Sequence, residues 1–265
     1  MRLNIDDRMI KIIMLGAGGT GAHIAPNLYR LLYALSSQRS GSKPRGIRFI
    51  IADGDSVEEK NLVRQHFSRA ELGMNKAKAI AERYAEAFGL VPEYIPDFIE
   101  TQERLSAILE PEVYLAGRFK SSGKLKQMQE LVILIGAVDN NKSRRLCHQV
   151  FMSSRNLIYI DSGNGEYTGQ VVCGIRKGGR TLQKPVGLIY PDVLEETDQF
   201  PSELSCAEAS ISAPQAITAN LTAAMVVVNI LYNLLVLGEI NVENVSFSTK
   251  SVNVRPFAST KKIAA

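Results

Sequence analysis

The feature that most constrains the fold is a glycine-rich turn between an apolar segment and a helical one. Residues 9–15 (MIKIIML) have the composition of a buried β-strand, and residues 23–35 (HIAPNLYRLLYAL) have the spacing of a helix. Gly16 permits a tight turn, Gly18 lets phosphates approach the backbone, and Gly21 lets helix and strand pack closely. The helix N-terminus adds amide donors and a partial positive charge. This unit predicts a nucleotide site, the alternative being a tight turn without ligand; its candidate residues are Gly16, Gly18, Gly19 and Gly21.

A carboxylate for the ribose is expected after the second strand of such a unit. Residues 47–52 (IRFIIA) form that predicted strand, and Asp53-Gly54-Asp55 follows it. Asp53 comes later than the usual spacing of about 20 residues, because a polar segment rich in Ser and Gly, residues 36–46, is inserted before the strand. We expect Asp53 to accept ribose hydroxyl groups and Asp55 to lie in the same site. The alternative is a pair of ordinary turn carboxylates.

The cations downstream of this acid favour ATP over a nicotinamide cofactor. A dehydrogenase needs no such cluster, whereas this chain has residues 61–65 (NLVRQ) and then Lys76, and both arginine and lysine suit phosphates. Asp139-Asn140 follows the apolar run 131–135 (LVILI), which places both residues at the ligand edge of an open sheet. A carboxylate there can hold Mg²⁺, which usually takes one or two carboxylates plus phosphate oxygens. The combination predicts a triphosphate site.

The remaining pattern divides the chain into two predicted halves. Up to residue 161, short apolar runs alternate with helical segments, as in a doubly wound parallel sheet. Beyond it, weakly alternating strands, a long helix at 211–237 and a closing hairpin at 245–254 predict antiparallel pairing. We predict an α/β fold with a Rossmann-like, mostly parallel sheet that continues into a mixed or antiparallel C-terminal half. The predicted single domain, 1–265, comprises a nucleotide-binding half, 1–161, and a mixed-sheet half, 162–265.

Composition excludes several classes of protein. Hydrophobic residues are 45% and charged residues 22% of the chain, as in folded rather than disordered proteins. The net charge of +4 is mild and no basic block occurs, so we expect no nucleic-acid partner. Residues 217–237 approach the length of a membrane span, but Asn220, Asn229 and Asn233 would be costly in lipid. We therefore expect no membrane association, and assign this helix to the core or to a homodimer interface.

The three cysteines indicate a reducing, cytoplasmic environment. They are odd in number, lie far apart and form no CxxC pair, so neither a disulfide framework nor a structural zinc is expected. Residues 1–12 also lack the apolar core of an export signal. Cys206 precedes the long helix, whose N-terminus would favour a reactive thiolate, the alternative being an unreactive small apolar residue. Cys147 and Cys173 are predicted to lie in the core.

Three segments together resemble the ThiF/MoeB/ubiquitin-activating-enzyme superfamily over residues 11–237. They are LGAGGTGAHIAPNL, IADGDSVEEKNLVRQHFSRAELGMNKAKA and ILIGAVDN. The resemblance implies that Asp53 binds ribose, that Asn61, Arg64 and Gln65 line the phosphates, that Lys76 lies on the α-phosphate side, and that Asp139 is the magnesium acid. Cys206 stands where the family often has a cysteine that forms a thioester or persulfide adduct. The polar insertion also resembles a ThiF-type subgroup of plasmid-associated PRTRC gene systems.

The resemblance implies an ATP-dependent adenylyltransferase that needs magnesium. Members activate a carboxylate, commonly the C-terminal glycine of a ubiquitin-like partner, so a small ubiquitin-like or sulfur-carrier-like protein is the expected partner. This chain departs from the family in two ways. It lacks the CxxC pairs that bind zinc in many bacterial members, and only Arg2 and Arg8 are near the arginine that dimeric members lend to their partner. The alternatives are a catalytically degenerate nucleotide-binding scaffold or an NAD-dependent oxidoreductase.

Overall fold

The computed structural model describes residues 1–5, 8–37, 44, 46–118, 125–195, 199–203 and 215–257. Its strands are β1 (Met9–Leu15), β2 (Gly46–Ala52), β3 (Glu93–Ile95), β4 (Val113–Arg118), β5 (Leu125–Gln129), β6 (Leu131–Gly136), β7 (Leu157–Asn164), β8 (Thr168–Lys177), β9 (Arg180–Gln183), β10 (Asn244–Ser248) and β11 (Asn253–Phe257). Its helices are α1 (Gly21–Ser37), α2 (Lys76–Phe88), α3 (Gln102–Leu109), α4 (Asn141–Ser153), α5 (Val186–Ile189) and α6 (Ile217–Leu237). Short 3₁₀ turns lie at Glu59–Asn61, Arg69–Glu71, Pro191–Leu194 and Pro201–Glu203.

One nine-stranded sheet runs through the molecule in the order β11-β10-β8-β7-β6-β1-β2-β3, with β9 paired to β8. The strands β3, β2, β1, β6 and β7 pair in parallel. From β7 onward the pairing of β8, β9, β10 and β11 is antiparallel. The predicted fold class, a mostly parallel α/β sheet continued by antiparallel strands, is therefore confirmed. The predicted boundary at residues 161 and 162 falls inside β7, so the sheet crosses it without interruption.

Helices cover both faces of the parallel strands, which explains why these strands are apolar along their whole length. In β1, Ile10, Ile12 and Met14 pack in a core with α1, α2 and α6. The alternate residues Ile13 and Leu15 pack with α3 and α4 on the other face. All five side chains are buried. Since parallel strands all end at the same edge, this arrangement brings the segments after β1, β2, β6 and β7 together.

The long helix α6 belongs to the core of the described fold. It is the one helix of the described residues that is long and apolar enough to cross a membrane, by length and composition only. It packs against α1, β7 and β8, and half of its most apolar window is buried. Asn220, on the buried side, is fully enclosed. The predicted helix began at residue 211, but residues 211–214 lie outside the described part of the chain.

Residues 112–127 lack apolar periodicity, which predicts an irregular exposed segment. The structure instead shows β4 and β5 paired as a separate antiparallel ribbon. Val113 and Leu115 in β4 are 60% and 50% exposed. Because this ribbon is not sandwiched between helices, it needs no continuous apolar pattern, and the sequence carries no strand signal there.

Candidate active site

A cleft of about 870 Å³, counting its open mouth, lies at the carboxyl edge of the parallel strands. It is bounded by the segments that follow β1, β2, β3, β6 and β7. Most of the predicted nucleotide residues line it: Gly16, Gly18, Gly19, Asp53, Asp55, Arg64, Gln65, Lys76, Asp139 and Asn140. Gly21 and Asn61 do not line it, and Cys206 lies outside the described residues.

Close backbone approaches determine the shape of the glycine turn. Gly16 has a φ of +94°, and a Cβ there would lie 2.4 Å from the carbonyl oxygen of Ala137. A Cβ on Gly21 would lie 2.0 Å from the carbonyl oxygen of Gly16, so this glycine permits the turn rather than facing the cleft. At Gly18 the nearest atom to such a Cβ is the Gln65 amide nitrogen at 3.9 Å. The backbone at Gly18 is therefore open to a ligand.

Asp53 lies where the predicted ribose acid should be. Its Oδ2 accepts from the Ala17 N–H over 2.6 Å, and its Oδ1 accepts from the Asp55 N–H over 2.8 Å. Burial raises the pKa of Asp53 to about 6; nearby Lys76 opposes this shift and Asp55 adds to it. Each carboxylate oxygen has two lone pairs, so both can still accept from hydroxyl groups. Above pH 6 the carboxylate is ionised and suited to bind a ribose.

Lys76 projects a buried charge into the cleft from the first residue of α2. Its Nζ donates to Asp55 Oδ2 over 2.7 Å, and the lysine side chain is 7% exposed whereas that of Asp55 is 50% exposed. Asn75 caps the helix by accepting from the Lys78 N–H, and its Nδ2 donates to the Asp53 carbonyl over 2.7 Å. Asn75, which the sequence analysis did not select, thus ties the end of β2 to the start of α2.

Arg64 and Gln65 enter the cleft from the loop after the 3₁₀ turn Glu59–Asn61. Arg64 Nη1 donates to Gln215 Oε1 over 2.9 Å, just before α6. Asn61 is buried outside the cleft, and its Oδ1 accepts from the Glu58 N–H over 2.8 Å. Arg64 and Gln65 therefore lie at the candidate phosphate site. The Asn61 side chain does not; it closes the preceding turn instead.

Asp139 is an exposed carboxylate of the cleft. Among the described residues it has neither a hydrogen-bond partner nor an ion-pair partner, whereas its neighbour Asn140 caps α4 by accepting from the Ser143 N–H over 2.8 Å. In the same part of the chain, no group of three or more His, Cys, Asp or Glu side chains could hold a metal by itself. A single unpaired carboxylate beside the candidate triphosphate site nevertheless fits Mg²⁺, which commonly combines one or two carboxylates with phosphate oxygens.

A buried ion pair beneath Asp139 was missed by the sequence analysis. Arg144 Nη2 donates to the Val138 carbonyl over 2.7 Å, and its Nε lies 3.5 Å from Asp161 Oδ2. Asp161 is fully buried and also accepts from the Tyr159 hydroxyl over 2.8 Å. Burial raises the pKa of Asp161, and Arg144 opposes the shift. Asp161 follows an apolar run, as Asp139 does. That shared pattern is the sequence signal from which Asp161 could have been selected as a residue near the cleft.

Polar side chains connect the glycine turn to α6. The Thr20 hydroxyl donates to Asn164 Oδ1 over 3.1 Å, and Asn164 Nδ2 donates to Asn220 Oδ1 over 2.7 Å. Gln215 Nε2 donates to the Asn164 carbonyl over 3.3 Å. This network connects the C-terminal end of β7 to the candidate phosphate site through the bond between Arg64 and Gln215. Its members come from segments far apart in sequence.

The two cysteines within the described residues are free and buried, as predicted. Burial raises the pKa of the Cys147 thiol to about 12, and it raises the pKa of Cys173 to about 12 as well. Both are therefore unreactive thiols at neutral pH.

Comparisons with known proteins agree with this fold. The model of the ThiF family matches residues 7–264. No curated protein matches the chain. A crystal structure of PaaA superposes with a TM-score of 0.59 at 15% identity, covering 94% of this chain and 64% of that one. E. coli MccB with ATP gives a TM-score of 0.56 at 16% identity, covering 94% and 63%. E. coli MccB with AMPCPP and MccA gives 0.59 at 15%, covering 97% and 66%. The chain spans less than two thirds of the length of these structures.

Proposed function

The chain belongs to the ThiF family, and from that premise we propose that it is an ATP-dependent adenylyltransferase. It would activate a carboxylate as an acyl-adenylate and release pyrophosphate. The observation that carries the proposal is the convergence of Arg64, Lys76 and Asp139 on one cleft together with the open glycine turn and Asp53. A nicotinamide site needs no such set of charges around the phosphates. A catalytically degenerate scaffold that still bound ATP would keep them, so catalysis itself separates the enzyme from the scaffold.

The chemistry requires positioning and charge neutralisation more than proton transfer. The attacking carboxylate is already ionised, so no strong general base is needed. Its oxygen forms a bond to the α-phosphorus while the bond from that phosphorus to the bridging oxygen breaks, and pyrophosphate leaves with the electron pair. Lys76 and Arg64 would neutralise charge on the phosphates, and the open backbone at Gly18 would let them approach the helix N-terminus. Asp53 would hold the ribose.

Asp139 is the residue that would hold magnesium. Its exposed carboxylate has no partner in the described structure, so binding a cation would break no existing ion pair. When bound beside ATP, Mg²⁺ supplies positive charge to the phosphate oxygens. Asn140 and Arg144 fix the backbone on either side of Asp139 through the α4 cap and the bond to the Val138 carbonyl.

The partner that we propose is a small ubiquitin-like or sulfur-carrier-like protein that presents its C-terminal carboxylate. Two observations support a peptide or protein carboxylate. The family match is one, and the crystal structures of E. coli MccB with MccA, a neighbour in fold, are the other. Cys206 would be the nucleophile of a subsequent transfer step, if such a step follows the adenylate.

The proposed function is tested by nucleotide binding and pyrophosphate exchange. We expect calorimetry to show binding of ATP with Mg²⁺ well above that of NAD, because Arg64 and Lys76 favour the more highly charged triphosphate. With its carboxylate partner, the protein should exchange labelled pyrophosphate into ATP. Equal or stronger binding of NAD would contradict the proposal, and ATP binding without exchange against any candidate C-terminus would favour the scaffold.

We also propose a homodimer that buries the outer face of α6. Ile217, Leu221, Met225 and Tyr232 form one stripe on this helix, and each is 41–50% exposed. Contiguous exposed apolar patches often mark an interface. We expect light scattering at micromolar concentration to give twice the chain mass, and Met225→Glu to give the monomer mass. The matched variant Val91→Glu, at an exposed apolar site away from α6, should remain dimeric. A monomeric wild type would contradict the proposal.

A further inference from the structure

We propose that His23, which does not line the cleft, is a positioning residue for ATP binding. By holding the peptide between Arg64 and Gln65, it joins the two parts of the candidate phosphate site. The inference rests on the proposed function, because it concerns residues that would contact the phosphates of ATP.

The contact that carries the proposal is a hydrogen bond between a helix side chain and a loop carbonyl. His23 is the third residue of α1 and is 8% exposed. Its ring Nε2 lies 3.3 Å from the carbonyl oxygen of Arg64, a bond that requires the proton on Nε2. The helix that carries His23 begins at the glycine turn. The His23 side chain therefore connects the helix that begins at the glycine turn with the loop that carries Arg64.

The Arg64 carbonyl that His23 contacts lies between two residues of the cleft wall. It belongs to the peptide group between Arg64 and Gln65, and both side chains that flank this peptide line the cleft. The two torsions on either side of this peptide, ψ of Arg64 and φ of Gln65, set how the two side chains are oriented relative to each other. Because peptide groups are planar, one hydrogen bond to the carbonyl restrains the orientation of the whole group. The Arg64 guanidinium is separately held by Gln215, so its backbone and its side chain are restrained from opposite sides.

The other side of the same loop is anchored on α2. The His66 Nδ1 lies 2.8 Å from the Tyr84 hydroxyl, and Arg83 Nη2 donates to the His66 carbonyl over 2.6 Å. The His23 and His66 rings are 5.6 Å apart, and His66 stacks on Tyr84. The loop is thus clamped between α1 and α2, and His23 provides the clamp on the α1 side.

A direct catalytic role for His23 does not fit this geometry. Its side chain is not part of the cleft wall, and its Nε2 is already bound to a carbonyl. Burial lowers the pKa of His23, so the ring is neutral at pH 7 and adds no charge to the phosphate site. The role that fits His23 is to orient the peptide between Arg64 and Gln65.

The test compares His23→Leu with His23→Gln in the full chain. Leucine removes the donor, whereas the Nε2 of glutamine can take the place of the histidine Nε2. We expect His23→Leu to weaken ATP binding, measured by calorimetry, about tenfold, because a restrained carbonyl loses its partner. His23→Gln should bind ATP almost as tightly as the wild type. In the exchange assay, the KM for ATP should rise while kcat changes little.

A double-mutant cycle separates this role from a general loss of stability. If His23 acts through the loop, His23→Leu should add little to the loss already caused by Arg64→Ala. The matched control is His148→Leu, because His148 is also 8% exposed but lies in α4 away from Arg64. It should leave ATP affinity unchanged. If His23→Leu does not fold, His23→Asn, which cannot reach the carbonyl, takes its place in every comparison.

Unchanged ATP affinity in His23→Leu would overturn the inference, and so would the same tenfold loss in the Arg64→Ala background. Failure of His23→Gln to restore binding would also overturn it. A wild type that does not bind ATP would instead refute the proposed function, so the two failures are distinguishable.

Discussion

Lys76→Met is expected to lower the catalytic efficiency of pyrophosphate exchange by roughly 100- to 1000-fold, the effect of removing one well-placed group that stabilises transition-state charge. Methionine keeps the unbranched stem of lysine but not its ammonium group, which projects into the cleft 2.7 Å from Asp55. Asp55 is half-exposed, so water can solvate its carboxylate once the partner is gone. The fold should therefore survive, and the loss should appear in exchange rather than in the thermal unfolding midpoint.

The matched control for this prediction is Lys78→Met. Lys78 lies two residues further along the same helix, is 45% exposed and pairs only weakly with Glu82 at 4.0 Å. Such exposed pairs contribute little to stability. We expect Lys78→Met to exchange pyrophosphate at the wild-type rate. Similar losses in the two variants would mean that the effect comes from the net charge of α2 and not from a contact between Lys76 and the phosphates.

Asp139→Asn is expected to reduce exchange about 100-fold and to raise the Mg²⁺ concentration needed for half-maximal rate. Asparagine has the same size but cannot supply the negative charge that a divalent cation requires. The side chain is exposed and has no partner among the described residues, so the substitution should not disturb packing. A magnesium titration of the exchange rate measures both effects, and calorimetry with ATP alone reports whether nucleotide binding survives.

Asp192→Asn is the control for Asp139→Asn. Asp192 is an exposed carboxylate in the 3₁₀ turn Pro191–Leu194 and does not line the cleft. It should keep the wild-type rate and magnesium dependence. If Asp139→Asn also keeps normal turnover at limiting magnesium, Asp139 is not a magnesium ligand and the assignment fails.

Residues at the ends of strands were the part of the site that the sequence could predict. Asp53 and Asp139 follow apolar runs, and parallel strands bring such positions to one edge whatever the details of packing. Lys76 could be selected because it is a cation downstream of the ribose acid, and lysine suits phosphates. Each of these predictions needs only local pattern and the general geometry of a parallel sheet, and the structure places all three residues in the cleft.

The contacts that connect distant segments could not be predicted in this way. Arg144 and Asp161 meet because α4 packs over the ends of β6 and β7, and nothing in either local pattern specifies that distance. The same holds for Gln215 and Arg64, which are 151 residues apart. Asn61 shows that nearness in sequence is not enough either. It lies three residues before Arg64, but its side chain does not reach the cleft, because in the 3₁₀ turn it accepts a hydrogen bond from Glu58.

The position of β1 between β2 and β6 has a consequence for the order of folding. β1 is hydrogen-bonded on one side to a strand close in sequence and on the other to residues 131–136. The tight turn at Gly16 rests against Ala137, which itself bonds to Leu15. During synthesis, the N-terminal segment therefore lacks one wall of the candidate nucleotide site until more than half of the chain has been made. Such long-range contacts slow folding, and under the proposed function ATP would stabilise the protein only after that late pairing is complete.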